Sequence, residues 1–535
     1  MNLKCYKKRS AVKTIIASSL LSIGAMSAQV SATEQPNIIY ILADDMGMGD
    51  TSAYNANSKI ATPSLDRLAN EGIKFTNVHT SSSVCTPTRY GILTGRYAWR
   101  TSLKRGVLQG HSDHLIAPDR ETVASLLKRQ GYSTAVIGKW HLGMDWASTD
   151  GKKIDKLGGN VDFEKGIQNG PNSNGFDYYY GISASLNMNP HMYIENTNVQ
   201  GEHVFLKNKN AAKESGLVGA KAGWMAKGFK QDKVQTTFIN KTISWIENQQ
   251  KVNNKKPFFV YLPLNSPHSP IVPSKNFIGK SGLSPHGDFT MEMDHEIGRL
   301  LIALDKMKLT DNTLVIFTAD NGVSPLAKLV NMQKQGHYSS MSYRGLKGSL
   351  YEGGHRVPFI ARWPEKIKPQ TTSDFHSSTL DLMATLADIT GTTLAANVAE
   401  DSVSMKPVLL GQTIKSDERG LVYHSDAGHY AITQGDWKLI LHKYGGTRRH
   451  NPKDNNNPVE NQSTIQLFNI TTDPSERVNV QAQNPERVYG LKMLLTQYIK
   501  QGRSTAGKVQ DNDKVSEKVQ RNWQKSLSPF IDIKM

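Results

Sequence analysis

The chain has 535 residues, 38% of them hydrophobic, and a formal net charge of +17 at pH 7. This length exceeds that of one small domain, so we expect a large core and a second unit. The positive charge favours a polyanion such as a sulfated glycan or an anionic membrane surface, and the lack of helix-turn-helix, zinc-finger or aromatic–basic patterns argues against nucleic acid.

Residues 1–32 are typical of a secretory signal peptide, with five basic residues, an apolar run over 15–26 and small residues ending at Ala32. We predict cleavage after Ala32 and export to the periplasm or the medium. The run is too short for a stable membrane span, and no later stretch is long enough, although an uncleaved anchor is the alternative. Cleavage removes five positive charges, which leaves +12, and removes Cys5, so that Cys85 is the one remaining cysteine.

Four continuous apolar runs predict strands that are buried on both faces: residues 37–43, 134–137, 258–262 and 314–317. Amphipathic stretches at 62–72 and 121–130 predict helices between them. This alternation predicts an α/β fold with a large, mixed, mainly parallel sheet sandwiched by helices.

Polar residues follow each predicted strand: Asp44, Asp45, Lys139, His141, His268, Asp320 and Asn321. The carboxyl edge of an open α/β sheet is where ligands bind, so we expect these residues to share one site. The carboxylate and amide oxygens suit a hard cation, calcium before magnesium. Alternatively, the Asp-Asp and Asp-Asn-Gly segments form turns or caps, and the lysine and histidines are ordinary surface and core residues.

The segment Cys85-Thr86-Pro87-Thr88-Arg89 predicts a helix start, with Thr86 as the cap and Pro87 in the first position. Cys85 would then precede the helix and Arg89 would lie one turn inside. Such a helix end binds anions and could lower the pKa of a nucleophile. The alternative is a buried structural thiol.

Two further regions complete the domain prediction. Residues 146–233 are rich in Gly, Asn and Lys and are interpreted as an insertion beside the mouth of the site. Short strands at 421–424, 430–433, 437–441 and 466–470 and a helix at 486–500 predict a small antiparallel sheet with a packed helix. We therefore expect a catalytic domain over 33–412 and a C-terminal subdomain over 413–535.

The pentapeptide at Cys85 resembles the Cys-x-Pro-Ser-Arg signature of the formylglycine-dependent sulfatases, in the alkaline phosphatase superfamily, with Thr88 in place of the serine. Residues 93–96, Leu-Thr-Gly-Arg, match the second segment of that family. The stretches that contain Lys139, His268 and Lys347 are similar to its Gly-Lys-Trp-His, Pro-His and Lys-Gly segments. Residues 467–474 resemble its C-terminal subdomain.

The resemblance implies an alkaline phosphatase-like fold and hydrolysis of sulfate esters by a formylglycine (3-oxoalanine) that a maturase makes from Cys85. It implies one Ca²⁺ held by Asp44, Asp45, Cys85, Asp320 and Asn321. It also implies the roles of the remaining residues: charge neutralisation by Arg89, Lys139 and Lys347, proton donation by His268, and proton acceptance by His141.

Export, positive charge and the polar insertion favour a sulfated polysaccharide or its oligosaccharides as the substrate. Candidate sugar contacts are Trp99, Arg100, His191, Arg344 and His355. Alternatives are an arylsulfatase, a phosphonate or phosphodiester hydrolase of the same superfamily, and a non-enzymatic glycan-binding protein. The sequence leaves open the sugar, the sulfate position, exo or endo action and the oligomeric state.

Overall fold

The computed structural model describes Met1 and residues 35–253, 255–413, 419–447 and 463–532. The predicted signal peptide, apart from Met1, lies outside the described residues. The sheets and helices that follow belong to the unit that extends from Pro36. None of the helices in the described ranges is long and apolar enough to cross a membrane.

A large sheet of ten strands lies at the centre of the fold, with the order β13-β2-β12-β11-β1-β10-β4-β5-β6-β7. Its strands are β1 (Asn37–Ala43), β2 (Ile73–Phe75), β4 (Ser133–Lys139), β5 (Tyr178–Ile182), β6 (Ile194–Glu195), β7 (Asn198–Val199), β10 (Phe258–Pro263), β11 (Thr313–Ala319), β12 (Phe359–Arg362) and β13 (Thr371–Ser373). The five central strands from β11 to β5 run parallel, whereas β12 is antiparallel to both neighbours. The predicted mixed, mainly parallel sheet is confirmed.

Helices cover both faces of this sheet. The helices that precede the second sheet are α1 (Pro63–Asn70), α2 (Cys85–Thr94), α3 (Val123–Arg129), α4 (Lys209–Glu214), α5 (Val234–Asn253), α6 (Pro285–Lys306), α7 (Leu329–Gln333), α8 (Glu352–His355), α9 (Leu382–Ile389) and α10 (Lys406–Leu409). Along β1, Ile38 and Tyr40 pack in the core that contains α2, α3 and α9, whereas Ile39 and Ile41 pack in the core that contains α1, α5 and α6. Because successive side chains of a strand point to opposite faces and both faces are covered, β1 is a continuous apolar run from Ile38 to Ala43.

A second, four-stranded antiparallel sheet lies near the C-terminus, with β15 (Leu421–His424), β16 (Tyr430–Gln434), β17 (Trp437–Ile440) and β18 (Gln466–Asn469) in sequential order. The helices α11 (Pro485–Lys500) and α12 (Glu517–Leu527) follow it. Leu495 and Trp523 from these helices share a core with Ile432 of the sheet and with Trp99. The predicted antiparallel sheet and helix are confirmed, and the domain boundary at 413 stays a prediction.

The region 146–233 differs from the expected insertion because part of it belongs to the central sheet. β5 pairs in parallel with β4, and β6 and β7 extend the edge. A separate hairpin joins β8 (His203–Leu206) to β9 (Gly223–Ala226). A last pair joins β3 (Val78–His79) to β14 (Ser377–Ser378). The strands within 146–233 were not predicted because the region is polar in composition. Their inward side chains, such as Tyr179 and Ile182 of β5, are buried.

Candidate active site

The carboxyl ends of the central strands bring the predicted site residues together. Asp44 and Asp45 follow β1, Asp320 and Asn321 follow β11, and Lys139 is the last residue of β4. These three strands run parallel within the sheet, so their carboxyl ends share one edge. Cys85 and Lys347 lie outside the sheet and contact Asp44 and Asp45 at the same edge.

Cys85 lies at the centre of the cluster and is 1% exposed. Its thiol donates to Oδ1 of Asp44 at 3.5 Å and lies 3.3 Å from Nζ of Lys347. Burial, together with the charge of Asp320, raises the pKa of the thiol above its usual range.

The helix start at Cys85 also differs from the expectation. α2 begins at Cys85 itself, two residues earlier than predicted, and its N-cap is the extended Val84 without a side-chain cap. The hydroxyl of Thr86 instead accepts a hydrogen bond from the backbone N–H of Leu108 at 3.2 Å. Pro87 is accommodated because the first helical turn leaves backbone N–H groups unpaired in any case.

Asp44 joins Cys85 to two buried cations. Nζ of Lys139 donates to its Oδ2 at 2.6 Å, and Nη2 of Arg89 lies 3.7 Å from the same oxygen. Burial opposes ionisation, but Lys139, His268 and Arg89 together hold the pKa of Asp44 well below its ordinary value. The carboxylate is therefore charged at neutral pH.

Arg89 pairs with a carboxylate of the cluster. Its Nε and Nη2 donate to Oδ2 of Asp320 at 3.0 and 2.8 Å, and its Nη1 donates to the carbonyl of Lys139 at 2.8 Å. Oδ1 of Asp320 accepts from the backbone N–H of Asp45 at 3.2 Å. Burial and Asp44 raise the pKa of Asp320 to about 6. Arg89 thus orients Asp320, in addition to any contact with a bound anion.

The oxygen atoms of the cluster fit a hard cation. Ligand atoms of Asp44, Asp45, Cys85 and His268 all lie within 4.8 Å of one another. Oδ2 of Asp45 and Oδ1 of Asn321 are buried without a hydrogen-bond partner among the described residues. Buried oxygens without donors are costly unless a cation neutralises them. His268 was not predicted as a ligand, and the structure places a ring nitrogen of it within this group.

Asp45 is further fixed by its backbone and its neighbours. Its φ is 69°, in the left-handed region that residues other than glycine rarely adopt. Nδ2 of Asn321 donates to its Oδ1 at 2.8 Å, and the ammonium of Lys347 donates to the same oxygen. Such local strain is held by surrounding contacts and clusters at functional sites.

The two histidines present different nitrogens to the cluster. Nε2 of His141 donates to the carbonyl of Leu108 at 2.9 Å, and its buried Nδ1 has no partner among the described residues. Burial and Lys139 lower the pKa of His141, so that it is neutral. Nδ1 of His268 donates to the carbonyl of Ser269, and its Nε2 lies 3.7 Å from Oδ2 of Asp45. Burial lowers the pKa of His268 to about 4.

A cleft of about 1000 Å³ opens beside this cluster and is lined by Lys347 and Arg344. The other four candidate sugar contacts are buried elsewhere, so those predictions are wrong. The ring of Trp99 stacks between Tyr97 and Trp523, and Arg100 pairs with Asp401. His191 and His355 point at the backbone carbonyls of Lys221 and Leu350.

Comparisons with known proteins agree with this geometry. The family described as Sulfatase matches residues 36–392, and the one described as N-sulphoglucosamine sulphohydrolase, C-terminal, matches residues 346–503. The chain is 36% identical over 496 residues to the N-acetylgalactosamine-6-O-sulfatase of Bacteroides thetaiotaomicron, covering 86% of this chain and 93% of that protein. It is 32% identical over 495 residues to arylsulfatase A of Bos taurus, covering 88% and 89%.

A solved structure shows the same fold. It is a 6S-sulfatase structure concerned with the metabolism of multiple glycosaminoglycans by Bacteroides thetaiotaomicron. The two share 34% identity and superpose with a TM-score of 0.74, covering 86% of this chain and 99% of that one.

Proposed function

The chain belongs to the sulfatase family and is a sulfuric ester hydrolase, and we propose that it removes O-sulfate groups from a glycan through a formylglycine made from Cys85. The match to the sulfatase family confirms the family that was predicted from the segment Cys85 to Arg89. We further propose 6-O-sulfated N-acetylgalactosamine as the sulfated sugar, because the relative with 36% identity is named for that substrate.

One observation carries the proposal: Cys85 lies between a carboxylate and an ammonium in a buried cluster. Its sulfur is 3.5 Å from Asp44 and 3.3 Å from Lys347. A group at this position would meet both a metal ligand and a cation that can pair with a sulfate oxygen.

We propose that Asp44, Asp45, Asp320 and Asn321 hold one Ca²⁺ beside residue 85. When both groups are present, the metal supplies Lewis acidity and charge, and the hydrated aldehyde supplies the attacking hydroxyl. The unpartnered oxygens of Asp45 and Asn321 support this ligand set. Calcium is favoured because the ligands are oxygens with no thiolate-rich or imidazole-rich arrangement around them.

Lys139 and Lys347 neutralise the sulfate in this mechanism. Lys139 is fully buried and Lys347 is partly buried, so their charges act in a low-dielectric site where they are strong. Nearby Asp45 and residue 85 raise the pKa of Lys347 despite its burial, which keeps it protonated. Arg89 acts mainly as a positioning residue through Asp320.

The histidines are proposed to move protons. The free Nδ1 of neutral His141 can accept a proton from residue 85, because its Nε2 proton is held by Leu108. His268 donates a proton from Nε2 to the departing sugar oxygen. It needs the negative charge of a bound sulfate to raise its pKa from about 4.

The test measures sulfate release from N-acetylgalactosamine 6-sulfate and from 4-methylumbelliferyl sulfate. Turnover of the matching phosphate esters is measured for comparison. We expect turnover of sulfate esters by wild type and none by Cys85→Ala or Cys85→Ser. Phosphate esters turned over faster than sulfate esters of the same leaving group would favour a phosphohydrolase instead. Export to the periplasm or medium and dependence on a maturase are part of the proposal, and expression with and without a maturase tests the latter.

A further inference from the structure

The cleft beside Lys347 has an unusual charge. Among the described residues that line it, five are basic and none is acidic: Lys59, Lys328, Arg344, Lys347 and Arg477. Lys347 also lies 3.3 Å from the sulfur of Cys85, so a residue that lines the cleft contacts the reacting position. A concave surface with charges of one sign focuses its field on ligands of the opposite sign.

Four of the five cations of the cleft form no ion pair with a carboxylate among the described residues, whereas Lys347 pairs with Asp45. Lys59, Lys328 and Arg477 are exposed, and no carboxylate in the described part of the chain forms an ion pair with them. Arg344 is 8% exposed, and its Nη1 donates to the carbonyl of Glu476 at 2.9 Å, whereas its Nε and Nη2 have no hydrogen-bond partner among the described residues. Its guanidinium is fixed over the ring of Tyr351 at 4.0 Å. A buried, oriented guanidinium with free donors indicates an anionic ligand.

The rest of the lining suits a sugar. Serine, asparagine and glutamine side chains alternate with tyrosines, of which Tyr338 is 50% exposed. A tyrosine ring offers an apolar face and a polar tip, which matches the mixed surface of a pyranose. Ligand sites combine such surfaces with a few polar groups that fix orientation.

We propose that this cleft binds a second anionic group of the same glycan, a sulfate or a carboxylate beyond the sulfate ester that is cleaved. The inference rests on the proposed function and extends it to a substrate class, namely oligosaccharides that carry at least two anionic groups. Lys59, Lys328 and Arg477 attract the chain, and Arg344 donates to its anion. A small aryl sulfate reaches only the reacting position.

The test combines Lys59→Ala, Lys328→Ala and Arg477→Ala in one variant. The substrates are a chondroitin 6-sulfate tetrasaccharide and 4-methylumbelliferyl sulfate. Loss of the three exposed charges is expected to raise the KM for the tetrasaccharide by roughly tenfold at low salt. The kcat and the turnover of the aryl sulfate should be unchanged. About 0.5 M NaCl should remove the difference, since exposed charges are screened.

The matched control removes three exposed lysines at the opposite edge of the sheet: Lys251→Ala, Lys255→Ala and Lys256→Ala. These residues precede β10, so the control changes net charge equally but lies away from the cleft. Binding of the tetrasaccharide to Cys85→Ala, with and without the cleft substitutions, gives a readout that needs no turnover. We expect the dissociation constant to rise roughly tenfold with the cleft substitutions alone.

A tetrasaccharide whose uronate carboxyls are reduced to alcohols separates the two anions. If the wild-type KM for the reduced tetrasaccharide is as high as the KM of the cleft variant for the unreduced one, the bound anion is the carboxylate. If reduction leaves the wild-type KM unchanged, the bound anion is a second sulfate. The inference is overturned if the cleft variant and the control give the same KM and dissociation constant for the tetrasaccharide. Failure of the proposed function is distinct, because wild type would then release no sulfate from either substrate.

Discussion

Nζ of Lys139 lies 2.6 Å from Oδ2 of Asp44, and both side chains are fully buried. This pair links the end of β4 to the end of β1 next to Cys85. A buried ammonium beside the reacting position stabilises negative charge without reorganisation of solvent.

Replacement of Lys139 tests this charge. We expect Lys139→Met to lower kcat on sulfate esters by about 10²-fold to 10³-fold, the usual cost of one lost preorganised donor. The matched control is Lys438→Met, because Lys438 is equally buried but pairs with Glu352 and Glu476 at 2.8 Å. The control should lower thermal stability and leave kcat per folded molecule unchanged. Equal effects of both substitutions on kcat would contradict a role for Lys139 in the reaction.

Replacement of Asp320 tests the metal site. Asp320→Ala removes a proposed metal ligand and also the partner of Arg89, so it should abolish activity and lower Ca²⁺ affinity. Chelation of wild type should likewise stop turnover, and Ca²⁺ should restore it better than Zn²⁺.

The control for the metal test is Asp294→Asn in α6, a buried carboxylate that accepts backbone N–H groups of Ser64 and Leu65. This change should lower the melting temperature without any effect on Ca²⁺ binding. If Asp320 only forms a turn, Asp320→Ala will behave like the control, with full activity per folded molecule and no response to chelation. Calorimetry of Ca²⁺ binding and melting temperatures of both variants distinguish the two cases.

The pair of Arg100 and Asp401 predicts acid-dependent stability. Asp401 accepts two hydrogen bonds from Arg100 at 2.8 Å, and despite burial this contact lowers its pKa. Since the folded-state pKa lies below the unfolded value of about 3.9, the pair stabilises the protein above that pH and loses its effect as the pH falls through the folded-state pKa.

Asp401→Asn should therefore cost about 3 to 5 kcal/mol of unfolding free energy at pH 7, because it leaves the Arg100 charge buried without a counterion. The difference from wild type should shrink below about pH 4, because Asp401 of the unfolded wild type takes up a proton there while the folded carboxylate stays ionised down to its lower pKa. Urea midpoints at both pH values measure this, with exposed Asp119→Asn as the control. A difference that does not change with pH would contradict the pairing.

The central strands and the edge that holds the site could be predicted because their signals are local. A strand buried on both faces is a nearly continuous apolar run, as β1 is after Asn37, and polar residues at its carboxyl end then lie at the ligand-binding edge. The start of α2 was predicted two residues too late. A side-chain cap at Thr86 and an extended N-cap at Val84 are equally consistent with the sequence, and the structure has the latter.

Burial by distant segments could not be predicted. Trp99 and Arg100 follow the signature closely and look like surface residues for a sugar. Their partners Trp523 and Asp401 lie hundreds of residues later, and only tertiary packing brings them together. The same holds for Lys59 and Arg477, which meet at the cleft from opposite ends of the chain.

The most direct test of the account is the mass of the peptide that contains residue 85, measured together with specific activity. Conversion of Cys85 to formylglycine lowers the peptide mass by about 18 Da, whereas the ordinary oxidations of cysteine raise it. Preparations with different degrees of conversion should show specific activity proportional to the converted fraction, with no activity at zero conversion. Full activity in a sample whose Cys85 is entirely unmodified would contradict the account.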